Sequence, residues 1–394
     1  MTRVAIVHDF LFQNGGAEKV VDSLLEIYPS ADVYTSFSTP EKFQSAINIK
    51  KAFDEKRVFN TVIQTLYNLK FKNQRVLAKF QKHLFWLYPV LMRLTTIKNY
   101  DLVIISSTDC AKQVRFRNCP KIIHYCHSPT RYLNGLVTEA DHKSLPYLYR
   151  ILIPIFKFFL KPLDQKAARY LNSVGCIWVA NSIFIQQTIK QIYNTDSVVI
   201  YPPIELEKFL PLIRKISITE PFFLCHGRIS FHKRLDLAIG ACLELGIKLK
   251  ISGVSGMIEQ MNDLKNQVDD YVSKNPEKAG LVEFLGRTSE KQYFNLLETC
   301  SAFLFPGKED FGITPIEVLA SGVTVIAFGE GGALEYIKNG ENGVLFKEQT
   351  INSLKNAILK FQELDKTNNW KIDKIKNSSK DFSTEKFQLD IQRL

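Results

Sequence analysis

The chain alternates short apolar runs with longer stretches in which apolar residues recur every three or four positions. Runs of four to six residues without a polar face are typical of parallel strands buried on both sides. The intervening stretches predict amphipathic helices. Strands that alternate with helices in this way predict a doubly wound α/β fold. The clearest runs lie at residues 3–7, 102–107, 121–126, 176–180, 222–225, 282–286, 301–306 and 324–328.

Two domains are expected from the length of the chain. A chain of 394 residues is long for one domain, and the strand–helix alternation continues through both halves. Residues 201–204 read Tyr-Pro-Pro-Ile, a stiff connector because proline restricts the backbone. The expected N-terminal domain is therefore residues 1–203, and the expected C-terminal domain is residues 204–380.

Residues 309–317 form the most informative stretch, Glu-Asp-Phe-Gly-Ile-Thr-Pro-Ile-Glu. Glu309 and Glu317 flank a predicted turn from a strand into a helix, at the carboxyl end of the strand, where open α/β sheets bind ligands. Gly312 lets a ligand approach the backbone, and the start of the helix offers free amide donors. The first carboxylate can bind a sugar hydroxyl, and the second can bridge two ribose hydroxyls. Alternatively, both acids only complement the helix dipole.

This stretch resembles the paired-glutamate signature of the family-four retaining glycosyltransferases, the group 1 glycosyl transferases, with mannosyltransferase-like members. The resemblance implies the GT-B fold: two Rossmann-like doubly wound domains facing across a cleft, with a last helix at residues 381–394 packing back on the first. It implies that Glu317 holds the ribose of a nucleotide sugar and that Glu309 holds the transferred sugar. The backbone amides expected beside Glu309 are those of Phe311, Gly312, Ile313 and Thr314.

A second pattern places Lys233 five residues after Arg228, following the apolar run at 222–225. It matches the donor-diphosphate pair of the same family, with Lys233 expected at the start of an amphipathic helix. An arginine and a lysine beside a leaving pyrophosphate stabilise the charge that develops as the glycosidic bond breaks. The alternative is two surface cations in a loop.

Two further backbone sites are expected in the nucleotide-binding region. Gly15 and Gly16 follow the first strand and precede a helix, which is a phosphate-approach arrangement. The resemblance places this loop near the donor diphosphate, although glycine pairs also close ordinary turns. It also implies that the backbone at Arg287 and Thr288, after the run at 282–286, holds the nucleobase.

Histidine also appears where predicted strands end. His127 opens the phrase His-Ser-Pro-Thr-Arg-Tyr, which resembles a motif of mannosyl- and rhamnosyl-type members and implies contact with the transferred sugar. A neutral histidine there can hold a sugar hydroxyl, or it can be a loop histidine satisfied by the backbone. His8 and Asp9 are secondary candidates on the acceptor side, and hydrogen bonding at the strand end explains them equally well.

The formal charge of +11 favours an anionic partner. Residues 57–100 contain no acidic residue and interleave lysine and arginine with aromatic residues. Such a basic amphipathic segment suits an anionic membrane surface, or it packs on the sheet with a solvated basic face. Residues 145–163 are apolar and aromatic, and they predict either a second helix at the membrane or acceptor face or a part of the core. Nucleic acid is a third interpretation that no recognised motif supports.

The seven cysteines are scattered and form no Cys-x-x-Cys pair, which predicts buried thiols in a reducing compartment. The N-terminus has no signal-peptide layout, and the apolar runs are too short to span a bilayer. We therefore expect a cytoplasmic protein, with a peripheral position on the inner face of the plasma membrane as a candidate. No Asp-x-Asp motif lies at a strand end, so metal-independent chemistry without a cofactor is expected.

Together with the family resemblance, these observations predict a retaining glycosyltransferase that moves a hexose from a GDP- or UDP-sugar to a hydroxyl of a glycan or lipid-linked oligosaccharide in polysaccharide biosynthesis. No residue stands out as a general base, and the family's leaving phosphate is thought to take the acceptor proton. A sugar-nucleotide hydrolase, epimerase or phosphorylase could use the same fold. The sequence is also compatible with a non-catalytic sugar-nucleotide-binding protein and with a nucleic-acid binder.

Overall fold

The computed structural model describes residues 2–62, 64, 87–136, 147–216, 220–255, 258–367 and 370–394, and for residues 147–153 the backbone alone. Much of the basic aromatic segment, including residues 65–86, lies outside the described residues. The chain divides into two compact units, Met1–Pro203 with Phe387–Leu394, and Ile204–Lys386. No described helix combines the length and the apolar character that crossing a membrane requires.

The first unit is built on a parallel sheet flanked by helices. Its strands, in chain order, are β1 (Val4–His8), β2 (Asp32–Thr35), β3 (Val58–Asn60), β4 (Thr96–Lys98), β5 (Leu102–Ser107), β6 (Arg115–Arg117), β7 (Lys121–Cys126), β8 (Ile177–Ala180) and β9 (Val198–Val199). The helices are α1 (Gly16–Ile27), α2 (Ile47–Asp54), α3 (Tyr88–Leu94), α4 (Arg131–Asn134), α5 (Tyr147–Ser173) and α6 (Ile183–Tyr193). Within the described residues the sheet order is β3-β2-β1-β5-β7-β8-β9, and β4 pairs with β6 separately.

Both faces of this first sheet are covered. Ala5 and Val7 of β1 pack into one apolar cluster, whereas Val4 and Ile6 pack into another. This alternation explains why the sequence shows an apolar run with no polar face. The C-terminal helix contributes Phe387 to the second cluster.

The second unit repeats the architecture. Its strands are β10 (Phe222–His226), β11 (Lys248–Ser252), β12 (Val282–Gly286), β13 (Ala302–Phe305), β14 (Val325–Phe328) and β15 (Gly343–Phe346). Its helices are α7 (Leu235–Leu245), α8 (Ile258–Lys274), α9 (Glu290–Thr299), α10 (Ile313–Ala320), α11 (Ala333–Tyr336), α12 (Ile351–Lys366) and α13 (Ile372–Asn377). The last helix of the chain is α14 (Thr384–Arg393), whose residues from Phe387 onward belong to the first unit.

The strand order of the second sheet is that of a nucleotide-binding fold. Its described strands follow the parallel order β12-β11-β10-β13-β14-β15. Counted from its own first strand, this is the 3-2-1-4-5-6 order of doubly wound nucleotide-binding sheets.

Helix α7 differs from its prediction. Lys233 ends a short 3₁₀ turn, Arg234 has a left-handed φ of 50°, and the helix begins only at Leu235. The helix is also buried on nearly every side instead of being amphipathic, since it packs on the core of the unit and against α12. A helix that is covered on all sides is apolar all round. The predicted division into an apolar and a polar face is therefore absent from this helix.

In the first unit, strand order reverses between β1 and β5, and Asp9 fixes the chain at that point. Its buried carboxylate accepts hydrogen bonds from the amides of Thr108 (2.5 Å), Asp109 (3.0 Å) and Ala111 (2.6 Å), and from the Thr108 hydroxyl (3.0 Å). These donors hold the loop that follows β5. The geometry therefore favours the strand-end role for Asp9 over an acceptor-binding role.

We predict that Asp9→Asn lowers the free energy of unfolding by about 2–4 kcal/mol, because an amide presents a donor to a cluster of N–H groups and loses the charge. Calorimetry of the full chain measures this as a lower melting temperature for the transition that contains the first unit. Asp196→Asn is the matched control, since Asp196 forms an exposed ion pair with Lys190 and such pairs contribute about 0–1 kcal/mol. Equal melting of Asp9→Asn and wild type would contradict the assignment.

Candidate functional site

The predicted diphosphate-, sugar- and ribose-binding residues of the second unit follow the carboxyl ends of β10 and β13. These strands are neighbours in the sheet, and the strand order reverses between them. Open α/β sheets bind ligands at such a switch point because the two following loops run in opposite directions and leave a crevice. Arg228 and Lys233 follow β10, and the stretch from Glu309 to Glu317 follows β13.

Lys233 and Glu309 form an ion pair between Nζ and Oε1. Their side chains are 17% and 20% exposed, so the pair is shielded from most of the solvent. The Lys233 ammonium also lies 5.5 Å from the centre of the Phe305 ring. The structure thus places a cation suited to a phosphate and a carboxylate suited to a sugar hydroxyl at one point. Arg228 is more exposed than Lys233.

Close backbone packing holds this pair. A Cβ at Gly307 would lie 2.8 Å from Lys233 Cα, closer than real Cβ atoms approach. Only glycine therefore allows the loop after β13 to lie directly on the Lys233 turn. The Glu309 carbonyl accepts a hydrogen bond from the Gly332 amide at 2.9 Å, which ties the glycine-rich turn after β14 to the same loop.

The turn from Glu309 into α10 is fixed by Gly312 and Tyr336. Gly312 has a φ of 89°, and a Cβ there would lie 2.7 Å from the Tyr336 hydroxyl. That hydroxyl donates to the Phe311 carbonyl at 2.8 Å, and the Phe311 side chain is buried. Ile313 and Thr314 form the first residues of α10, so their amides belong to the unsatisfied N-terminus of a helix. Glu317 lies one turn further on and is buried.

Two aromatic residues of this region could not be singled out from the sequence. His226 ends β10 and stacks on Tyr293 of α9, with ring centroids 3.7 Å apart and an interplanar angle of 17°. Burial and the nearby Lys233 charge lower the pKa of His226 to about 4, so the ring is neutral at pH 7. Because 67 positions separate the two residues, no local pattern could indicate the contact.

Thr288 is linked to His226 through a chain of polar contacts. Its hydroxyl lies 2.7 Å from the Ser252 hydroxyl, which in turn lies 3.0 Å from Nδ1 of His226. These contacts join the carboxyl ends of β10, β11 and β12. Arg287, beside Thr288, is exposed.

In the first unit, His127 is part of a buried chain of polar groups. Nε2 of His127 lies 2.8 Å from the Ser106 hydroxyl, and Nδ1 of His8 lies 2.8 Å from the Ser106 carbonyl. Burial, and then the nearby His8, lower the pKa of His127 to about 3. His127 is therefore neutral at pH 7 and suited to hydrogen bonding. It cannot act as an acid from its protonated form at that pH.

Gly15 and Gly16 lie where β1 turns into α1, and Glu18 modifies the expected phosphate site. The Gly15 amide donates to the Glu18 carboxylate at 3.0 Å, so one of the two amides already has a partner. Burial raises the pKa of Glu18, and His8 opposes the rise. Sequence reasoning missed Glu18, although a glutamate three residues after an N-cap position is the signal of a capping box.

A second missed group stabilises the loop after His127. Lys112 and Asp164 form an almost fully buried ion pair at 2.7 Å, and both bond to the Thr130 hydroxyl, at 2.5 and 2.8 Å. The Tyr193 hydroxyl donates to Asp164 at 2.8 Å. A buried ion pair is retained at low cost only when further hydrogen bonds satisfy it, as they do here. Asp164 is the only acidic residue among residues 154–173. Its isolation in an apolar and basic stretch was the one sequence feature that could have indicated a special role.

No group of three or more histidine, cysteine, aspartate or glutamate side chains could hold a metal ion in the part of the chain that the structure describes.

A family model and several curated relatives match parts of this chain. The family model described as "Glycosyl transferases group 1" matches residues 212–377, within the second unit. Relatives include the alpha-1,3/1,6-mannosyltransferase ALG2 of Dictyostelium discoideum (27% identity over 302 residues) and of Homo sapiens (28% over 292). Each alignment covers 67% of this chain and about two thirds of the relative, 67% and 65%. Over these residues the chain is similar to the group 1 glycosyltransferases, as the resemblance predicted.

Solved structures place this glycosyltransferase in the GT-B fold, which confirms the predicted fold class. Anabaena Alr3699/HepE in complex with UDP aligns with a TM-score of 0.66 at 16% identity, covering 100% of this chain and 99% of that chain. A glycosyltransferase from Rickettsia africae aligns with a TM-score of 0.66 at 18% identity, covering 100% and 97%. The predicted enzyme class, a glycosyltransferase acting in glycan biosynthesis, is likewise confirmed.

Proposed function

We propose that this enzyme is a retaining hexosyltransferase that uses a GDP- or UDP-sugar and transfers the hexose to a hydroxyl of a glycan or lipid-linked oligosaccharide. The Lys233–Glu309 pair at the switch point of the second sheet, with Glu317 one helical turn away, carries the proposal. The mannosyltransferase names of the relatives and the UDP bound to the Anabaena protein support a nucleotide-sugar donor and a glycan acceptor.

Each residue then has a chemical task. Lys233, with Arg228, neutralises the diphosphate that leaves as the glycosidic bond breaks, which stabilises the transition state more than the ground state. Glu309 binds hydroxyls of the transferred sugar, with the amides of Phe311, Gly312, Ile313 and Thr314 beside it. Glu317 holds the ribose hydroxyls. The backbone at Arg287 and Thr288 holds the base.

Residues of the first unit complete the proposal. Neutral His127, oriented by Ser106, provides a hydrogen bond to the sugar without adding charge. Gly15 and Gly16 are proposed diphosphate-binding residues, with the Gly16 amide as the donor that Glu18 does not occupy. The leaving phosphate takes the acceptor proton. Lys233 supplies positive charge at the diphosphate, so the proposed reaction needs no metal.

We predict that Lys233→Ala lowers kcat/KM for sugar transfer by about 10²–10³, the loss found when one electrostatic stabiliser of a transition state is removed. Glu317→Ala mainly raises KM for the donor. Transfer from labelled GDP- and UDP-sugars measures both, and unchanged melting temperatures show that the fold survives. Lys308→Ala is the matched control, since Lys308 lies on the same loop and pairs with Glu330 at the surface.

Normal turnover of both site variants would contradict the site. Release of free sugar at the same rate with and without acceptor would instead favour a hydrolase. Binding of a sugar nucleotide without turnover on a broad panel of acceptors would favour a non-catalytic protein.

An anionic membrane surface is the proposed second partner. Among the described residues, helix α5 is the proposed membrane-contacting element. Ile155, Phe158 and Phe159 are 51%, 75% and 64% exposed, and they follow the i, i+3, i+4 spacing of one helix face. The cations of this stretch that are exposed are Lys161, Lys166 and Arg169. Its one acid, Asp164, is buried against Lys112. An apolar stripe bordered by cations suits the cytoplasmic face of an anionic bilayer.

We predict that the double variant Phe158→Ser, Phe159→Ser binds anionic liposomes at least about tenfold more weakly, because each inserted aromatic side chain contributes about 1.5–3 kcal/mol. Flotation with phosphatidylserine-containing vesicles measures it, and higher salt should weaken wild-type binding. Leu389→Ser, at another exposed apolar position, is the control. If the wild type fails to float with these vesicles, the acceptor is a soluble glycan.

A further inference from the structure

Phe382 is a buried residue near the end of the chain, and its ring packs on the turn from Glu309 into α10. Its ring centroid lies 5.8 Å from that of Phe311 and 6.1 Å from that of Tyr336. The rings of Phe311 and Tyr336 are themselves 5.8 Å apart, and all three side chains are buried. Such separations are typical of favourable aromatic pairs. Phe382 is therefore part of an aromatic cluster around Phe311, the residue that precedes Gly312 in the turn.

The backbone of Phe311 is confined as well as its ring. The Tyr336 hydroxyl donates to the Phe311 carbonyl at 2.8 Å. A Cβ at Gly332 would overlap with the Cα and the carbonyl of Phe311, so the glycine-rich turn after β14 lies directly against this residue. Because ring and backbone are fixed together, loss of a ring contact should displace the amides that follow Phe311 in the turn.

Residues 378–384, which we call the C-terminal brace, are hydrogen-bonded to the same group of residues. The Asn342 side-chain amide is buried and donates to the Tyr336 carbonyl and to the Ser378 hydroxyl, both at 2.8 Å. Tyr336 is thus joined to the brace at two places, through Asn342 at its start and through the ring of Phe382.

The other end of the brace pairs with Ile204, the first residue of the second unit. The Ile204 amide donates to the Phe382 carbonyl at 3.2 Å, and the Thr384 amide donates to the Ile204 carbonyl at 3.2 Å. Ile204 is itself buried. These hydrogen bonds restrict the backbone of Phe382, so its ring is held in one place against Phe311.

A fixed Phe311 matters for binding of the sugar more than for binding of the diphosphate. Amide donors bind a ligand best when they already point at its oxygen atoms, because reorienting them on binding costs free energy. The proposed sugar-binding amides, those of residues 311–314, begin at Phe311. Arg228 and Lys233, the proposed diphosphate-binding residues, lie on the loop after β10 instead.

We infer that Phe382 is a positioning residue of the donor site. Its ring holds Phe311 so that the amides of residues 311–314 point at the transferred sugar, and the C-terminal brace holds Phe382 in turn. Phe382 itself acts through Phe311 and not by contact with the sugar. This inference rests on the proposed function, since it presumes that the transferred sugar binds at this turn.

Calorimetric titration of the full chain with GDP, UDP, GDP-mannose and UDP-glucose tests the inference. Phe382→Leu keeps an apolar side chain at this position but removes the ring. It should weaken binding of the preferred nucleotide sugar about tenfold, roughly the loss of one hydrogen bond to the sugar, and leave the affinity for the matching diphosphate within about twofold of wild type.

Phe361→Leu is the matched control for the loss of a buried ring. Phe361 is buried in the same unit, where it packs on Phe223 and Trp370. Both variants should melt at a lower temperature than wild type, but Phe361→Leu should bind every ligand like wild type. Unchanged binding of the nucleotide sugar by Phe382→Leu, an equal loss for the diphosphate, or the same selective loss in Phe361→Leu would each overturn the inference.

Hydrogen exchange of the wild-type protein tests the same coupling without a variant. If the brace stabilises the sugar-binding form of the turn, bound sugar must stabilise the brace, because coupling between two sites is reciprocal. The nucleotide sugar should therefore slow exchange of the backbone amides in residues 379–384 at least about twofold more than the diphosphate does. Equal exchange with both ligands would contradict the inference. Wild-type protein that binds none of these ligands would instead reject the proposed function, and the inference with it.

Discussion

The ion pair between Lys233 and Glu309 is the constraint on which the donor site depends. Both side chains are largely withdrawn from water, where an unpaired charge is costly. Each group therefore holds the other in place, and the close packing at Gly307 fixes the distance between their loops. An ammonium and a carboxylate held together in this way can bind the anionic and the hydroxyl-rich parts of one sugar nucleotide.

The topology of the second sheet brings these groups together. Lys233 and Glu309 are 76 positions apart, but they follow neighbouring strands at the point where the strand order reverses. The first unit uses its own switch point differently. There the Asp9 carboxylate binds the backbone after β5, and His8 and His127 share Ser106. The second unit thus has an ion pair at its switch point, whereas the first unit has a buried carboxylate that accepts hydrogen bonds from the backbone.

Much of the fold could be predicted from the sequence because the pattern of apolar residues along each strand reflects how that strand is buried. Strands β1, β5 and β7 are covered on both faces, so their apolar runs stand out, and the turn from Glu309 to Glu317 has its own residue pattern. These elements predicted doubly wound domains, and the GT-B fold followed from the family resemblance. The prediction for helix α7 was wrong in its start and its periodicity, because tertiary packing buries it all round and a left-handed Arg234 delays it.

Contacts between distant residues were the part that could not be predicted. The stack of His226 on Tyr293 and the buried pair of Lys112 with Asp164 join elements that share no sequence pattern. For Asp9 the sequence allowed two roles, and only the four converging donors favour one of them. Side-chain partners of this kind depend on the register of strands and loops, which composition and periodicity do not specify.

The decisive experiment is a crystal structure of the protein with its preferred nucleoside diphosphate. We expect diphosphate oxygens about 2.7–2.9 Å from Lys233 Nζ, the distance of a charge-assisted hydrogen bond, and ribose hydroxyls at the Glu317 carboxylate. A nucleotide bound elsewhere, with Lys233 and Glu317 making no contact to it, would refute the donor site described for the second unit.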